Sequence, residues 1–421
     1  MPLREIHDTI EKYLPIKTKE KNQHGEVFTP LLLIEEMLNQ LPVDVWSNPK
    51  LKWVDPANGI GNFPMIAYTL LMKGLEEWEP DRKKRSNHII KNMLFMVELN
   101  QVNVDVSRKI FGDDANIFCG SFLKEDWLDV FPKKFDIIMG NPPFNKEKNE
   151  KQIGSRAKNS IWDKFIFRSF DVLKPNGYLT FINPAQWRGL GPMYHKVWDL
   201  LTKKQILYLH IYGESGGKKH FNVGSRFDVY LVQNKPVFKE TDILDEMGET
   251  HKFRLDTLHF LPNYSYEIFT DIITTEEKGI DIIHDYFYAN TSKIISYKLD
   301  KDYKHKVVHG ITKDGLTYIY TNDNTKGHFG VPKVILNFNR HQYSHPEQND
   351  WEGKYGMSQI SFGIPISSKE EGDMILKAIN TDEFKTIIKA TKWGSFQTDY
   401  RMFKYFKKDF WKLLCAFSPP N

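Results

Sequence analysis

Cysteine is nearly absent from this chain, with two residues, Cys119 and Cys415, in 421. They lie far apart, with no CxxC spacing and no His/Cys cluster around either, which argues against a disulfide framework or structural zinc site and fits a reducing, intracellular setting. No run of about 18 apolar residues occurs, and the first twenty residues are charged rather than built on an apolar core, so neither a membrane span nor a secretion signal is expected. Repeats and low-complexity tracts are missing, and the net charge is only +4.

What is present suffices for a sizeable core: 40% hydrophobic and 14% aromatic residues against 27% charged, not the profile of a disordered chain. The length predicts two domains, or one large fold with an appendage. Charge is unevenly spread, with net values of −3 for residues 1–140, +9 for 141–240, −8 for 241–290 and +6 for 291–421. Two basic blocks split by an acidic one are compatible with a face that meets a polyanion, and also with ordinary solvated lysines.

From Leu51 to Gln233, short β-rich runs alternate with helical stretches, the rhythm of a parallel sheet with crossover helices. The runs are Leu51–Asp55, Leu94–Glu98, Asn116–Cys119, Phe135–Gly140, Tyr178–Ile182, Ile206–Tyr212 and Phe227–Gln233. Met65–Leu75, Val102–Ile110 and Ile161–Leu173 can cross over as helices between the first five. Only Gly213–Arg226, with four glycines and no apolar period, separates the last two, which predicts a hairpin and an antiparallel last strand. Upstream, Thr29 reads as a helix N-cap and Pro30 as the first helical residue. After Asn234-Lys235-Pro236 the rhythm breaks, and strand-like runs (Lys306–His309, Leu316–Tyr320, Lys333–Asn337) mix with turns and helices near 368–390 and 400–414. A domain boundary after residue 234 and a less regular second domain follow.

Three motifs carry chemistry. Asp55-Pro-Ala-Asn-Gly59-Ile-Gly61-Asn62-Phe63 closes the first run; its glycines allow a sharp turn and close ligand approach, while Asp55 can take a ligand cation or hydroxyl. As a plain strand-to-helix turn it needs no ligand, and Pro64 stands where a dinucleotide fingerprint has its third glycine, which disfavours NAD. Glu98 ends the second run, where a carboxylate can accept bonds from ribose hydroxyls, or simply be solvated. The most specific motif is Asn141-Pro142-Pro143-Phe144 after the fourth run. Consecutive prolines force an extended backbone and remove two N–H donors. The Asn141 side-chain oxygen and the Pro142 carbonyl can then accept both hydrogens of one planar amine, with the Phe144 ring stacked on its heterocycle.

These motifs in this order, with Gly25-Glu26-Val27-Phe28-Thr29-Pro30 upstream, resemble the S-adenosylmethionine-dependent N6-adenine DNA methyltransferases, in motif order their gamma class, familiar from type II restriction–modification systems. The ordered motifs span roughly residues 24–234. The resemblance implies a Rossmann-like class I methyltransferase fold, α/β with a seven-stranded, mostly parallel sheet and an antiparallel last strand, in residues 1–234, and an α+β target-recognition domain that binds DNA in 235–421. It implies that Phe28, Thr29 and Pro30 cover the S-adenosyl-L-methionine cofactor, that Asp55, Gly59, Gly61, Asn62, Phe63 and Asn141 form its pocket, and that Glu98 holds its ribose. Asn141 and Pro142 would grip the target amine, Pro143 would complete the turn and Phe144 would stack on the adenine. Phe221 resembles the family's second aromatic against a flipped base, flanked by Lys218, Lys219 and Arg226 as substrate contacts. Ser121 departs from the pattern, standing where the family usually has an Asp beside the cofactor's adenine. No metal is required.

The implied partners are double-stranded DNA and a cognate restriction endonuclease, with no membrane, for a monomer or weak dimer in the cytoplasm, a nucleoid or a viral factory. Structured RNA or a protein glutamine amide could accept the same chemistry, although protein-modifying relatives typically carry Tyr in place of Phe144 and lack a large C-terminal domain. A non-catalytic nucleic-acid-binding relative is the remaining class. The loop Asn145–Asn159 and the segment Arg401–Lys408 place cations where phosphate could order them; the latter's apolar spacing equally fits an amphipathic helix. Glu352-Gly-Lys354 lacks the partner a nuclease metal site needs, and His305, His309, His341 and His345 have no metal spacing.

Overall fold

A computed structural model describes residues 28–146, 160–289, 293–338, 343–394 and 398–417. The chain forms two compact units, Met1–Trp187 with Pro192–Asp256, and Arg188–Gly191 with Thr257–Asn421.

The first unit is built on a nine-stranded sheet in the order β3-β2-β1-β4-β5-β7-β6-β8-β9. The first seven strands in sequence, β1 Trp53–Asp55, β2 Leu94–Glu98, β3 Asn116–Cys119, β4 Phe135–Gly140, β5 Leu173–Pro184, β6 Gln205–Tyr212 and β7 Phe227–Gln233, are the expected ones. β1 to β5 are parallel, and β7 runs antiparallel to both β5 and β6. Every residue of β1 and β2 is buried, as in a parallel sheet covered on both faces. Helices α1 Leu31–Leu38, α2 Asn62–Gly74, α3 Arg82–His88, α4 Gln101–Phe111, α5 Trp162–Val172 and α6 Pro192–Thr202 accompany it. Apolar spacing places α1, since Leu33, Ile34, Met37 and Leu38 all enter the core. The Asn100 side chain caps α4 by accepting from Val102 N at 3.0 Å, and Gly112 ends it at φ +92°. Among the described residues, no helix is long and apolar enough to cross a membrane.

Three expectations need correction. β6 and β7 pair antiparallel as expected, but their connection is not a plain glycine-rich loop, because it contains a helix, α7 Glu214–Phe221, ended by Asn222 at φ 58°. Thr29 is not the N-cap: α1 starts at Leu31, and the Pro30 carbonyl accepts from Leu33 N and Ile34 N, both at 3.1 Å. The boundary after residue 234 lies instead at 256, because β8 Thr241–Leu244 pairs parallel with β6 and β9 Thr250–Phe253 continues the sheet. Buried Gln205 holds that continuation, its Oε1 accepting from Phe238 N and Lys239 N at 2.9 and 3.0 Å.

The second unit is α+β. One sheet has the order β10-β12-β11-β15 (Ile295–Ser296, Gly315–Thr321, His305–Thr312, Gly356–Met357); the other has β14-β13-β16 (Asn349–Asp350, Lys333–Asn337, Ser361–Pro365). Helices α8 Tyr266–Ile272, α9 Lys369–Ile379, α10 Asp382–Ala390 and α11 Phe410–Phe417 complete it. Arg188 is fully buried and donates to the Leu261 and Pro262 carbonyls at 3.1 and 3.0 Å and to Asn263 Oδ1 at 2.7 Å, which ties residues 188–191 to this unit. Segment 401–408 is not the expected amphipathic α-helix, although it packs apolar side chains on the core and leaves Lys404 and Lys408 exposed. It is a short 3-10 turn, Tyr400–Tyr405, with Met402, Phe403, Tyr405 and Phe406 in the core and Arg401 paired to Asp399. Glu352 and Lys354 pair with each other in a turn, and both cysteines are free. His309 Nδ1 lies 3.1 Å from Ser358 Oγ and His345 Nε2 2.6 Å from the Thr312 carbonyl; His341 is outside the described residues.

The Lys333 ammonium is buried among four acceptors: Asp350 Oδ2 at 2.7 Å and the carbonyls of His328, Val331 and Tyr355 at 3.0, 3.1 and 2.7 Å. Asp350 also accepts from Lys354 N and Tyr355 N. Removing one partner strands the other charge in the interior. Asp350→Ala is expected to destabilise the second unit by about 3–5 kcal/mol, as read by guanidinium unfolding.

Candidate active site

Thr29, just before α1, is where two of the sequence motifs meet. Its carbonyl accepts from Asn62 Nδ2 at 3.1 Å and its hydroxyl accepts from Asn141 Nδ2 at 3.2 Å. The glycine loop, the segment before α1 and the Asn-Pro-Pro-Phe turn are therefore joined through one residue.

The loop itself is clamped to the end of β2. Gly59 N donates to Glu98 Oε2 at 2.7 Å, while Glu98 Oε1 accepts from Asn100 N at 2.8 Å and Asn103 Nδ2 at 3.3 Å. Gly59 and Gly61 have φ of +57° and +96°, the left-handed region that glycine tolerates. A Cβ at Gly61 would also stand 2.8 Å from the Phe111 ring. Asp55 is buried and accepts from Ala57 N at 3.0 Å. Burial pushes its carboxyl up to about 8, with the Glu98 charge adding to the rise against the Ala57 bond. A Cβ at Gly140 would lie 2.8 Å from Asp55 Oδ1, so this glycine is what lets β4 end against Asp55 and hand the chain to Asn141.

Three side-chain oxygens here, Asn58 Oδ1, Asn62 Oδ1 and Asn141 Oδ1, are buried and accept no hydrogen bond among the described residues. Buried acceptors left open cost stability unless a ligand serves them. With the buried Asp55 they form a polar set at the carboxyl ends of β1 and β4, and a cofactor carrying amino and hydroxyl donors fits it.

The remaining expected residues are placed as follows. Phe28 packs on the apolar cluster around Ile60, Met65 and Phe111. Pro30 leads into α1, and the Phe63 side chain belongs to the core cluster with Leu33 and Ile34. Ser121 follows β3 and accepts from Leu123 N at 3.3 Å. Pro142 is buried, Pro143 is exposed, and Phe144 is half-buried against the core cluster that contains Phe221. Phe221 itself is 8% exposed, with its ring edge-on to Phe227 at 5.0 Å. Lys218 and Lys219 are exposed, but the Arg226 guanidinium is held by Glu246 at 2.8 and 3.2 Å and by Glu214 at 3.0 Å, so its charge is already answered. Gly25, Glu26, Val27 and residues 147–159 lie outside the described residues.

One cluster had no signal in the sequence. Glu36 of α1 lies 2.7 Å from His210 Nδ1 and accepts from the Tyr212 hydroxyl at 2.9 and 3.0 Å, and the two rings on β6 stack at 3.8 Å. The His210 bond holds the Glu36 carboxyl below its usual range, and burial pushes the Tyr212 phenol up. This fixes α1, and with it the segment carrying Thr29.

Residues 66–216 match the family described as Eco57I restriction-modification methylase. Apart from residues 188–191, the matched stretch lies within the first unit and makes that unit similar to the restriction–modification methylases. An uncharacterized adenine-specific methylase of Mycoplasma pneumoniae is 27% identical, over 42% of this chain and 59% of its own length. The type II methyltransferase M.VspI of a Vibrio species is 24% identical, over 46% of this chain and 45% of its own. The chain thus spans about half the length of the curated relatives it matches. Among solved structures, the type IIL restriction-modification enzyme MmeI, in complex with DNA, aligns with a TM-score of 0.53 over 89% of this chain and 66% of its own at 13% identity, a likeness of fold.

The raised Asp55 carboxyl has a consequence for the stability of this unit. The folded protein keeps that proton up to about 8, whereas the group ordinarily loses it near 3.8, so its contribution to stability falls as pH rises through that interval. Asp55→Asn is expected to remove this slope and gain on the wild type between pH 5 and pH 8 in denaturation experiments. Parallel pH profiles for the two proteins would mean that Asp55 is ionised when folded.

Proposed function

We propose that the protein is a site-specific DNA methyltransferase that transfers a methyl group from S-adenosyl-L-methionine to N6 of an adenine turned out of double-stranded DNA. The observation that carries this reading is the Asn141 carboxamide oxygen, buried without a partner among the described residues at the carboxyl end of β4, beside a proline carbonyl and a half-buried phenylalanine.

Bound S-adenosyl-L-methionine would supply an electrophilic methyl group on a positively charged sulfur. Glu98 would hold its ribose, Asn58 and Asn62 would offer it their open acceptors, and Phe28, Thr29 and Pro30 would cover it. An adenine amine is a weak nucleophile because its lone pair is delocalised into the ring. Asn141 Oδ1 and the Pro142 carbonyl accept its two hydrogens, pull the nitrogen toward tetrahedral geometry and localise that pair. The methylated amine is acidic and releases its proton without a strong general base. Phe144 stacks on the adenine, with Phe221 in the neighbouring cluster. A base within a duplex cannot reach such a turn, so it is flipped, at a cost of roughly a few kcal/mol. Lys218 and Lys219 are exposed cations suited to phosphate. The second unit serves as the target-recognition domain, a cognate endonuclease is the expected partner, and the setting is intracellular. Phe144 in place of Tyr and the large second unit favour DNA over a protein glutamine.

Incubation with plasmid DNA and cofactor, followed by mass spectrometry of nucleosides, is expected to yield N6-methyladenine. Asn141→Ala is expected to lower the rate by about 10²–10³ with cofactor binding intact by calorimetry; near-full activity in that variant would sink the mechanism. Glu98→Ala is expected to weaken cofactor binding by about tenfold to a hundredfold. Cofactor binding without a methylated base on DNA would move the substrate to RNA or a protein amide.

A further inference from the structure

We propose that Thr29 is a positioning residue that fixes which end of the Asn141 carboxamide meets the substrate, an inference that rests on the methyltransferase reading above. A carboxamide has two ends of nearly the same shape and opposite hydrogen-bonding sense, an oxygen that only accepts and an NH2 that only donates. An amine offering two hydrogens needs the oxygen; the other end sets donor against donor.

A threonine hydroxyl can both accept and donate, and in this structure Thr29 accepts; two features leave the oxygen end of Asn141 open. The Asn141 NH2 is taken by the Thr29 hydroxyl at 3.2 Å, from a residue 5% exposed and 112 positions away in sequence. On the opposite side, an asparagine in a turn ordinarily turns its oxygen back onto the N–H two residues ahead. Here that residue is Pro143, preceded by Pro142, and neither has an N–H to give. The prolines thus keep Oδ1 from being consumed locally, and the threonine holds the nitrogen, leaving Oδ1 buried without a partner among the described residues. Thr29 is itself anchored, since its carbonyl is held by Asn62 Nδ2 at 3.1 Å and the helix that follows is fastened through Glu36 to His210 and Tyr212. Its reach to Asn141 is therefore set by the fold.

Thr29→Val keeps the shape and removes the acceptor, whereas Thr29→Ser keeps the acceptor. The valine variant is expected to lower kcat by about tenfold, the size of one lost buried hydrogen bond, and the serine variant to restore the rate. The decisive comparison uses Asn141→Asp, whose two equivalent oxygens leave nothing to orient: in that background Thr29→Val is expected to change the residual rate by less than about twofold. Equal losses in both backgrounds, or wild-type kcat in Thr29→Val, would overturn the inference. A readout independent of turnover is solvent exchange of the Asn141 side-chain amide protons in 15N-asparagine-labelled protein, assigned against Asn141→Ala. These protons are expected to exchange about tenfold faster in Thr29→Val, and unchanged exchange would also overturn it. Wild-type protein that protects these protons yet leaves DNA unmethylated would refute the substrate reading while upholding the hydrogen bond.

Discussion

The parallel pairing of β1 with β4 is the constraint on which the rest of the first unit depends. Trp53 against Ile137 and Val54 against Ile138 join segments more than eighty positions apart, and in doing so set the end of β1 beside the end of β4. Chain leaves β1 toward β2 on one side and β5 follows β4 on the other, so the sheet reverses its order at this pair. At such a reversal the connecting segments diverge, and a crevice opens at the carboxyl ends of the strands. Asp55, the glycine loop and Asn141 all emerge there. Gly140 makes the approach possible, because any side chain at that position would meet the Asp55 carboxylate.

Much of this was legible because it is local backbone chemistry. Apolar runs marked the strands, paired glycines marked the turn that needs left-handed φ, and two prolines after an asparagine marked a stretch without donors. What stayed hidden is chemistry between distant side chains. The hydroxyl of Thr29 reads in sequence as a helix cap, yet it spends its bond on Asn141, leaving the helix to begin at Leu31. Glycines in Gly213–Arg226 suggested a bare loop, but Gly217 lies inside a helix, and it is glycine because a Cβ there would stand 2.2 Å from the Ser225 carbonyl. Close approach, not flexibility, selects that glycine. The stop signal at Asn234-Lys235-Pro236 is a turn that Gln205 and the β8 pairing carry onward, which no local pattern foretells.

Charge is the property that sequence alone overstates. Arg226 is absorbed by Glu246 and Glu214, Arg401 by Asp399, and Lys333 by Asp350 and three carbonyls. These cations enter the sums of basic residues but hold the fold together instead of facing a polyanion. Exposed lysines such as Lys218 and Lys219 keep their charge available.

Residues 188–191 belong to the second unit although both flanking segments belong to the first. Evolution and engineering both exchange domains by cutting a gene once and joining another sequence behind the cut. A single crossover at codon 256 would deliver the carbonyls of Leu261 and Pro262 and the Asn263 amide without the Arg188 that fills them. Acquiring a new second unit by recombination therefore calls for a matched four-residue change upstream, and this couples the inheritance of two stretches that lie 65 or more codons apart.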